Sequence, residues 1–246
     1  MFEAFLPKKK IGYLSPLPIV DYFAYEFYQL VPKGVVVVAL PIGLQEFSSK
    51  DVERVFAPLE KQIGLLMERG VNIVVQGGVP LPILKGLDFH DRLIARIQKM
   101  AGVPGSSTML NVLASCTSLG IRNIALANKW SPEMNKTLGL FFEREGIRVA
   151  GTESRPMAPS EFVKQKTEEN LALAYELGRR ALLAFPEADG LYIGGGAWLT
   201  YPVVEPLEKE FGKPVVTNTG ATVYHLCHLL DCWRPIEGYG RLLQHP

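Results

Sequence analysis

The chain has 246 residues, 48% hydrophobic and 21% charged, a balance that suits one large globular α/β domain or two small lobes. Its formal net charge is +1 and its densest basic cluster is only Lys8-Lys9-Lys10, so no overall field points to a nucleic acid or an acidic membrane surface. Three cysteines, Cys116, Cys227 and Cys232, form an odd set without a CxxC pair, which fits reduced thiols in a cytoplasm rather than a disulfide framework, and no His/Cys spacing suits zinc.

The start, MFEAFLPKKKIGYL, lacks the order of charges and long apolar run of a signal peptide. The longest apolar run, 34–44, contains Pro41 and is too short to span a bilayer. In chain order, continuous apolar runs predict strands at Lys10–Leu14, Val35–Leu40, Val71–Gln76, Asn123–Ala127, Arg148–Gly151, Gly190–Ile193 and Pro214–Thr217. Helical spacing predicts helices over Val52–Arg69, Asp88–Ala101, Met109–Leu119, Pro132–Glu145, Pro159–Ala184 and Ala221–Leu230. Ser131 is a capping hydroxyl before a proline at the first helical position. The alternation predicts parallel sheets flanked by helices.

The two halves echo each other. VNIVVQGGVPLP (71–82) resembles DGLYIGGGAWLT (189–200), KIGYLS (10–15) resembles NIALAN (123–128), and GVPGSST (102–108) resembles GKPVVTN (212–218). The expected architecture is therefore two pseudo-twofold-related α/β lobes, 1–119 and 120–246, forming one integrated unit with a cleft between them. Ligands of open α/β sheets sit beyond the carboxyl ends of the strands. Gly77-Gly78 and Gly195-Gly196 would let an anion approach bare backbone beside a helix N-terminus. Neither turn matches GxGxxG, and no GxxxxGK[ST] is present, so a dinucleotide or nucleoside triphosphate is not expected.

The segments GIRNIALANKWSPEMNKTLGLFFEREGI (120–147), ADGLYIGGGAWLT (188–200), FGKPVVTNTGATVY (211–224) and GYGRLL (238–243), with the doubled glycine turn, resemble the aspartate/glutamate racemase superfamily, in its arylmalonate decarboxylase and maleate cis-trans isomerase branch. The resemblance runs from about Ile11 onward. It implies catalysis without a cofactor or metal, a substrate carboxylate held by backbone and hydroxyl donors, and cysteines at the turn after the third strand of each lobe. Those positions fall at about Gly78 and Gly195, and neither is cysteine. Val79-Pro80 stands where the decarboxylase branch has hydroxyl donors, and Trp130 matches its tyrosine. An indole donates a hydrogen bond but cannot act as an acid near neutral pH.

The three cysteines do not replace the missing pair. Cys116 and Cys227 lie inside helices and read as small buried hydrophobes, and Cys232 falls at a helix end. Lys129, at the carboxyl end of NIALAN, reads either as a solvent-facing cap or as a desolvated base or imine-forming amine. Thr200 and Tyr201 offer hydroxyls, although Thr200 could cap a helix beginning near Pro202. Ser15, Thr217, Asn218 and Thr219 could bind a carboxylate or cap local turns. Gly77, Gly78, Val79, Trp130, Gly195, Gly196 and Ala197 complete the expected substrate-binding set. His90 reaches the first glycine turn only if it points back, and His225 and His228 read as a structural pair. The segments 38–47 and 153–163 are lids by resemblance, with Leu40, Ile42, Phe47, Met157 and Phe162 making an apolar end. Arg155 there is a carboxylate clamp or a surface charge.

The reading that follows is a lyase or isomerase on a small carboxylic acid, foremost a decarboxylase of a substituted malonate-type substrate. Its proton donor is not cysteine but Lys129, Tyr201 or water. The alternatives are a carboxylate-binding protein without catalysis, and a hydrolase or other lyase using the emptied thiol site. Loss of two side chains predicts an enlarged pocket. A small carboxylate is the expected partner, nucleic acid and membrane are not, and a homodimer is the family default.

Overall fold

The computed structural model describes residues 6–162, 164–195 and 198–246. In the first half, β1 (Lys9–Ser15), α1 (Tyr22–Leu30), β2 (Val35–Pro41), α2 (Ser49–Phe56), α3 (Leu59–Glu68), β3 (Ile73–Gln76), α4 (Pro80–Lys85), α5 (Leu87–Ala101), β4 (Gly105–Ser107) and α6 (Thr108–Ser118) follow one another. The second half runs β5 (Asn123–Asn128), α7 (Pro132–Arg144), β6 (Arg148–Ser154), α8 (Pro159–Phe162), α9 (Thr167–Ala184), β7 (Gly190–Gly194), α10 (Tyr201–Phe211), β8 (Val215–Thr217), α11 (Asn218–Leu229) and α12 (Arg241–Gln244). The sheets are wholly parallel, with orders β2-β1-β3-β4 and β6-β5-β7-β8. The same order in both halves realises the predicted repeat.

Continuous Val and Ile runs form the inner strands because helices cover both faces of each sheet. All residues of β3 and β7 are buried. Leu14, Val52, Leu66 and Val74 belong to one core, and Ala125, Leu177 and Leu191 to another. A third core spans both lobes, uniting Ile11, Phe27 and Ile73 with Ile124, Phe142 and Tyr192. There α6 packs on α11, and His225 Nδ1 lies 2.8 Å from Asn111 Oδ1. No helix among the described residues is long and apolar enough to cross a membrane.

Several elements differ from expectation. The helix predicted over 52–69 is broken into α2 and α3 at Pro58, which has no N–H to continue the ladder. The helix predicted over 159–184 is α8, a turn and then α9. Phe162, at the end of α8, stands at the cleft wall, and Gln165, between the two helices, lies beside Lys129. Strand β4 was not predicted, because Gly-Ser-Ser has little intrinsic β preference. Pairing of Val74 with Gly105 and Gln76 with Ser107 makes it a strand. Helix α1 was also missed. It buries Phe23, Glu26, Phe27 and Leu30, a helical stripe hidden by the carboxylate within it.

Candidate active site

The main cleft lies at the carboxyl ends of β1, β3, β5 and β7. Tyr13, Ser15 and Gly78 line it from the first lobe, and Lys129, Trp130, Gly194 and Gly195 from the second. Leu17, Ile19, Val20, Phe23, Leu44, Phe47 and Phe162 complete an apolar wall, with Asp21 beside them. Counted out to its mouth, the free space is about 650 Å³. Phe47 and Phe162, from the segments after β2 and β6, approach to 6.1 Å between ring centroids. The cleft thus brings together Ser15, Gly78, Lys129, Trp130, Gly195 and Phe162 of the sequence-predicted set.

The other expected residues lie elsewhere. Leu40 and Ile42 pack into the first-lobe core, because their strand end faces α2 and α3 rather than the ligand space. Met157 lines a separate groove with Pro156 and Glu161. Arg155 is exposed, and its backbone N–H donates to Asn128 O. Tyr201 borders a different cavity, near the Tyr25 and Tyr239 rings, and burial with those neighbours pushes its phenol up to about 12. Thr217 Oγ1 caps α11 by accepting from Gly220 N, and Asn218 Oδ1 accepts from Tyr192 Oη at 2.6 Å. Gly196 and Ala197 fall outside the described residues. His90 turns to Ser107 Oγ at 2.7 Å and packs on Phe141, and burial lowers its imidazole to about 4. His228 stacks near Trp233, away from the partner of His225. Cys116 and Cys227 are buried in the cores, where desolvation raises their thiols, and Cys232 packs against the same core; none of the three lines the cleft.

The first glycine turn is closed. Gly77 N–H donates to Leu14 O and Gly78 N–H to Thr108 Oγ1, both at 2.9 Å, so these donors are spent within the protein. Val79 is fully buried and Pro80 has no N–H. Gly78 has φ +77°, and a Cβ there would lie 2.5 Å from Pro16 Cγ. Gly195 has φ +136°, and its Cβ would lie 2.6 Å from Trp198 Nε1. A Cβ at Gly77 would collide with the Tyr13 ring. The space a side chain would need is therefore filled by Tyr13, Pro16 and Trp198, which corrects the expectation of an enlarged pocket. Burial raises the Tyr13 phenol to about 12.

The turn after β5 carries the charge. Asn128 Oδ1 accepts from Trp130 N at 3.0 Å, while Asn135 Nδ2 donates to Trp130 O. Lys129 O accepts from Met157 N. These bonds fix the Lys129-Trp130 backbone as it leaves β5. Lys129 is 2% exposed, and its Nζ donates to Gln165 Oε1 at 3.1 Å. It lies 4.6 Å from the Phe162 ring centroid and 4.5 Å from that of Trp198. The indole against the ammonium is thus Trp198, while Trp130 packs on Gly194. No carboxylate among the described residues lies within ion-pair distance of Lys129. Burial alone lowers its pKa to about 7. Trp198 Nε1 is buried and has no hydrogen-bond partner among the described residues.

Sequence reasoning did not single out Glu26. Its buried carboxylate accepts from Thr200 N and Tyr201 N, from Thr200 Oγ1 at 3.1 Å and from Thr219 Oγ1 at 2.6 Å. A first-lobe side chain therefore caps α10 of the second lobe, just after the glycine turn. Thr200 itself makes no side-chain cap. Desolvation raises the Glu26 pKa against the pull of those donors.

Fold and cleft define a two-lobed α/β protein with a cleft between matching parallel sheets. The sequence profile of arylmalonate decarboxylases matches residues 18–243. The chain belongs to the arylmalonate decarboxylase family. It is 26% identical to arylmalonate decarboxylase of Bordetella bronchiseptica over 206 residues, covering 83% of this chain and 85% of that protein. It is 22% identical over 194 residues to maleate isomerase of Nocardia farcinica (strain IFM 10152), covering 76% and 75%. In fold it matches a liganded double mutant of arylmalonate decarboxylase with a TM-score of 0.85 at 24% identity, covering 96% and 98% of the two chains. It also matches a maleate cis-trans isomerase mutant from Nocardia farcinica carrying a covalently bound succinylcysteine intermediate, with a TM-score of 0.83 at 18% identity over 97% and 99%.

Proposed function

We propose that the protein is a cofactor-independent enzyme that decarboxylates, or moves a proton on, a small carboxylic acid bearing an apolar substituent. The observation that carries this reading is Lys129, a buried cation without a carboxylate partner among the described residues, in the wall of a mostly apolar cleft. An incoming carboxylate supplies the missing counter-charge, and the cleft excludes the water that would weaken the attraction. Leu17, Val20, Phe23 and Phe47 receive the substituent. Ser15 stands beside this wall as a hydroxyl donor for the carboxylate, and Gly194 and Gly195 line the same cleft from the second lobe.

Gly78 and Gly195 occupy the places at which the family's resemblance puts its thiols, so proton delivery falls to the Lys129 ammonium. At a pKa of about 7, ammonium and amine coexist near neutral pH, the condition for general acid catalysis. A malonate-type acid would lose CO2, leave an enediolate and take the Lys129 proton on carbon, with solvent then reprotonating the amine.

Proton NMR in D2O with aryl- and alkylmalonates, maleate and 2-substituted monoacids tests this. Consumption of an acid, or deuterium entering its α-carbon, is expected. A panel that stays unchanged while one acid raises the melting temperature would replace the reading with that of a carboxylate-binding protein.

A further inference from the structure

Loss of CO2 leaves an electron pair on the adjoining carbon, and catalysis depends on where that pair can go. In a malonate it spreads into the second carboxylate, which requires donors to hold the growing charge. At the first glycine turn two backbone donors are spent: Gly77 N–H on Leu14 O, and Gly78 N–H on Thr108 Oγ1. Pro80 offers none. The cleft holds an amine instead. Lys129 Nζ has one neutral hydrogen-bond partner, Gln165 Oε1, and lies over the rings of Phe162 and Trp198. A desolvated lysine free of carboxylates is the form in which this side chain attacks a carbonyl.

We propose that Lys129 is a covalent catalyst whose amine forms an imine with the ketone of a 3-keto acid, and that this cleft decarboxylates such acids. The inference deepens the reading of the cleft as a carboxylic-acid site and rests on it. The Nζ lone pair adds to the ketone carbon, and the ketone oxygen, taking one proton from the amine and one from solvent, leaves as water, giving a protonated imine. The bond between the α-carbon and the carboxylate then breaks. Its electron pair forms the enamine and neutralises the nitrogen, and CO2 departs. Water protonates the enamine carbon, and a second water hydrolyses the imine to release the ketone and restore the amine. No metal, oxidant or cofactor enters the balance. The apolar wall at Leu17, Val20 and Phe23 takes the group on the far side of the ketone, and the Ser15 hydroxyl in the same cleft is a donor for the carboxylate.

The test is reduction with borohydride during turnover of acetoacetate and of 3-oxo-3-phenylpropanoate, with intact-mass and peptide analysis. The expected adduct has the mass of the product ketone less one oxygen, sits on Lys129 of the wild-type chain, and is absent from Lys129→Arg. No adduct, or an adduct confined to other lysines, overturns the proposal. An adduct that retains the carboxylate overturns the decarboxylation. The pH profile supplies a second readout that needs no variant. An amine nucleophile makes kcat/KM rise with pH through about 7, whereas an ammonium acid makes it fall. If phenylmalonate loses CO2 while no adduct forms, the imine fails and the carboxylic-acid reading stands. If Lys129 is trapped while no acid is consumed, the reading of the cleft fails instead.

Discussion

The two glycine turns end equivalent strands of a repeated architecture, yet they differ in what they leave available. The turn after β3 is largely closed, its Gly77 and Gly78 N–H groups bonded internally and its side-chain space taken by Tyr13 and Pro16. The turn after β7 lies near a buried cation and an indole N–H without a partner among the described residues. The repeat presents two matching places, and the buried ammonium and indole N–H lie near one of them. A symmetric backbone does not require symmetric function.

Removing Lys129 should break the contrast most completely. Lys129→Met is expected to lower turnover by roughly 10²- to 10⁴-fold, measured by NMR with any acid the wild type consumes. The same variant tests the burial. The folded lysine titrates near 7 and the unfolded one near 10.5, so in that window unfolding takes up a proton. This stability is fully present above the unfolded value and is lost as pH falls through the folded one. Wild-type stability should therefore rise between about pH 7 and 10.5, by at most about 1.4 kcal/mol per unit, and urea titrations of Lys129→Met should lack that component.

Glu26→Ala attacks the support of the second turn. It leaves four polar hydrogens without their acceptor and should cost about 3–5 kcal/mol of stability in urea unfolding. Gly195→Cys asks whether the turn can simply receive a thiol. Its positive φ and the nearby Trp198 Nε1 predict a loss of about 1–3 kcal/mol, with no new malonate decarboxylation by NMR. A folded Gly195→Cys enzyme with strong activity would show that the indole moves aside readily. The smallest effect is expected from Phe162→Ala. KM for an acid with an aromatic substituent should rise roughly tenfold, about 1.4 kcal/mol, and change little for a methyl-substituted one.

The fold was largely legible in the sequence, whereas the contrast between the turns was not. Strand runs, the doubled Gly-Gly motif and the echo of KIGYLS in NIALAN carried the two-lobed fold. Lys129 could be placed at a strand's carboxyl end, which is where such sheets bind ligands. Its environment could not be read, because Phe162 and Trp198 meet the ammonium only through tertiary packing. Tyr201 and Thr217 illustrate the converse: both end or follow the right strands, yet one points into an aromatic cluster and the other caps its own helix. Glu26 was hidden because a carboxylate in an apolar stripe interrupts the helical signal, and its partners lie more than 170 positions away.

That carboxylate also bears on the history of the repeat. Two lobes that merely touched could be separated, recombined or exchanged as modules. Here a charge from one half is solvated entirely by hydrogens of the other, so each half alone would carry a wound that water must fill. Halves expressed as separate polypeptides should be poor folders that recover only by finding each other, which makes their union irreversible for evolution even though their common architecture still shows.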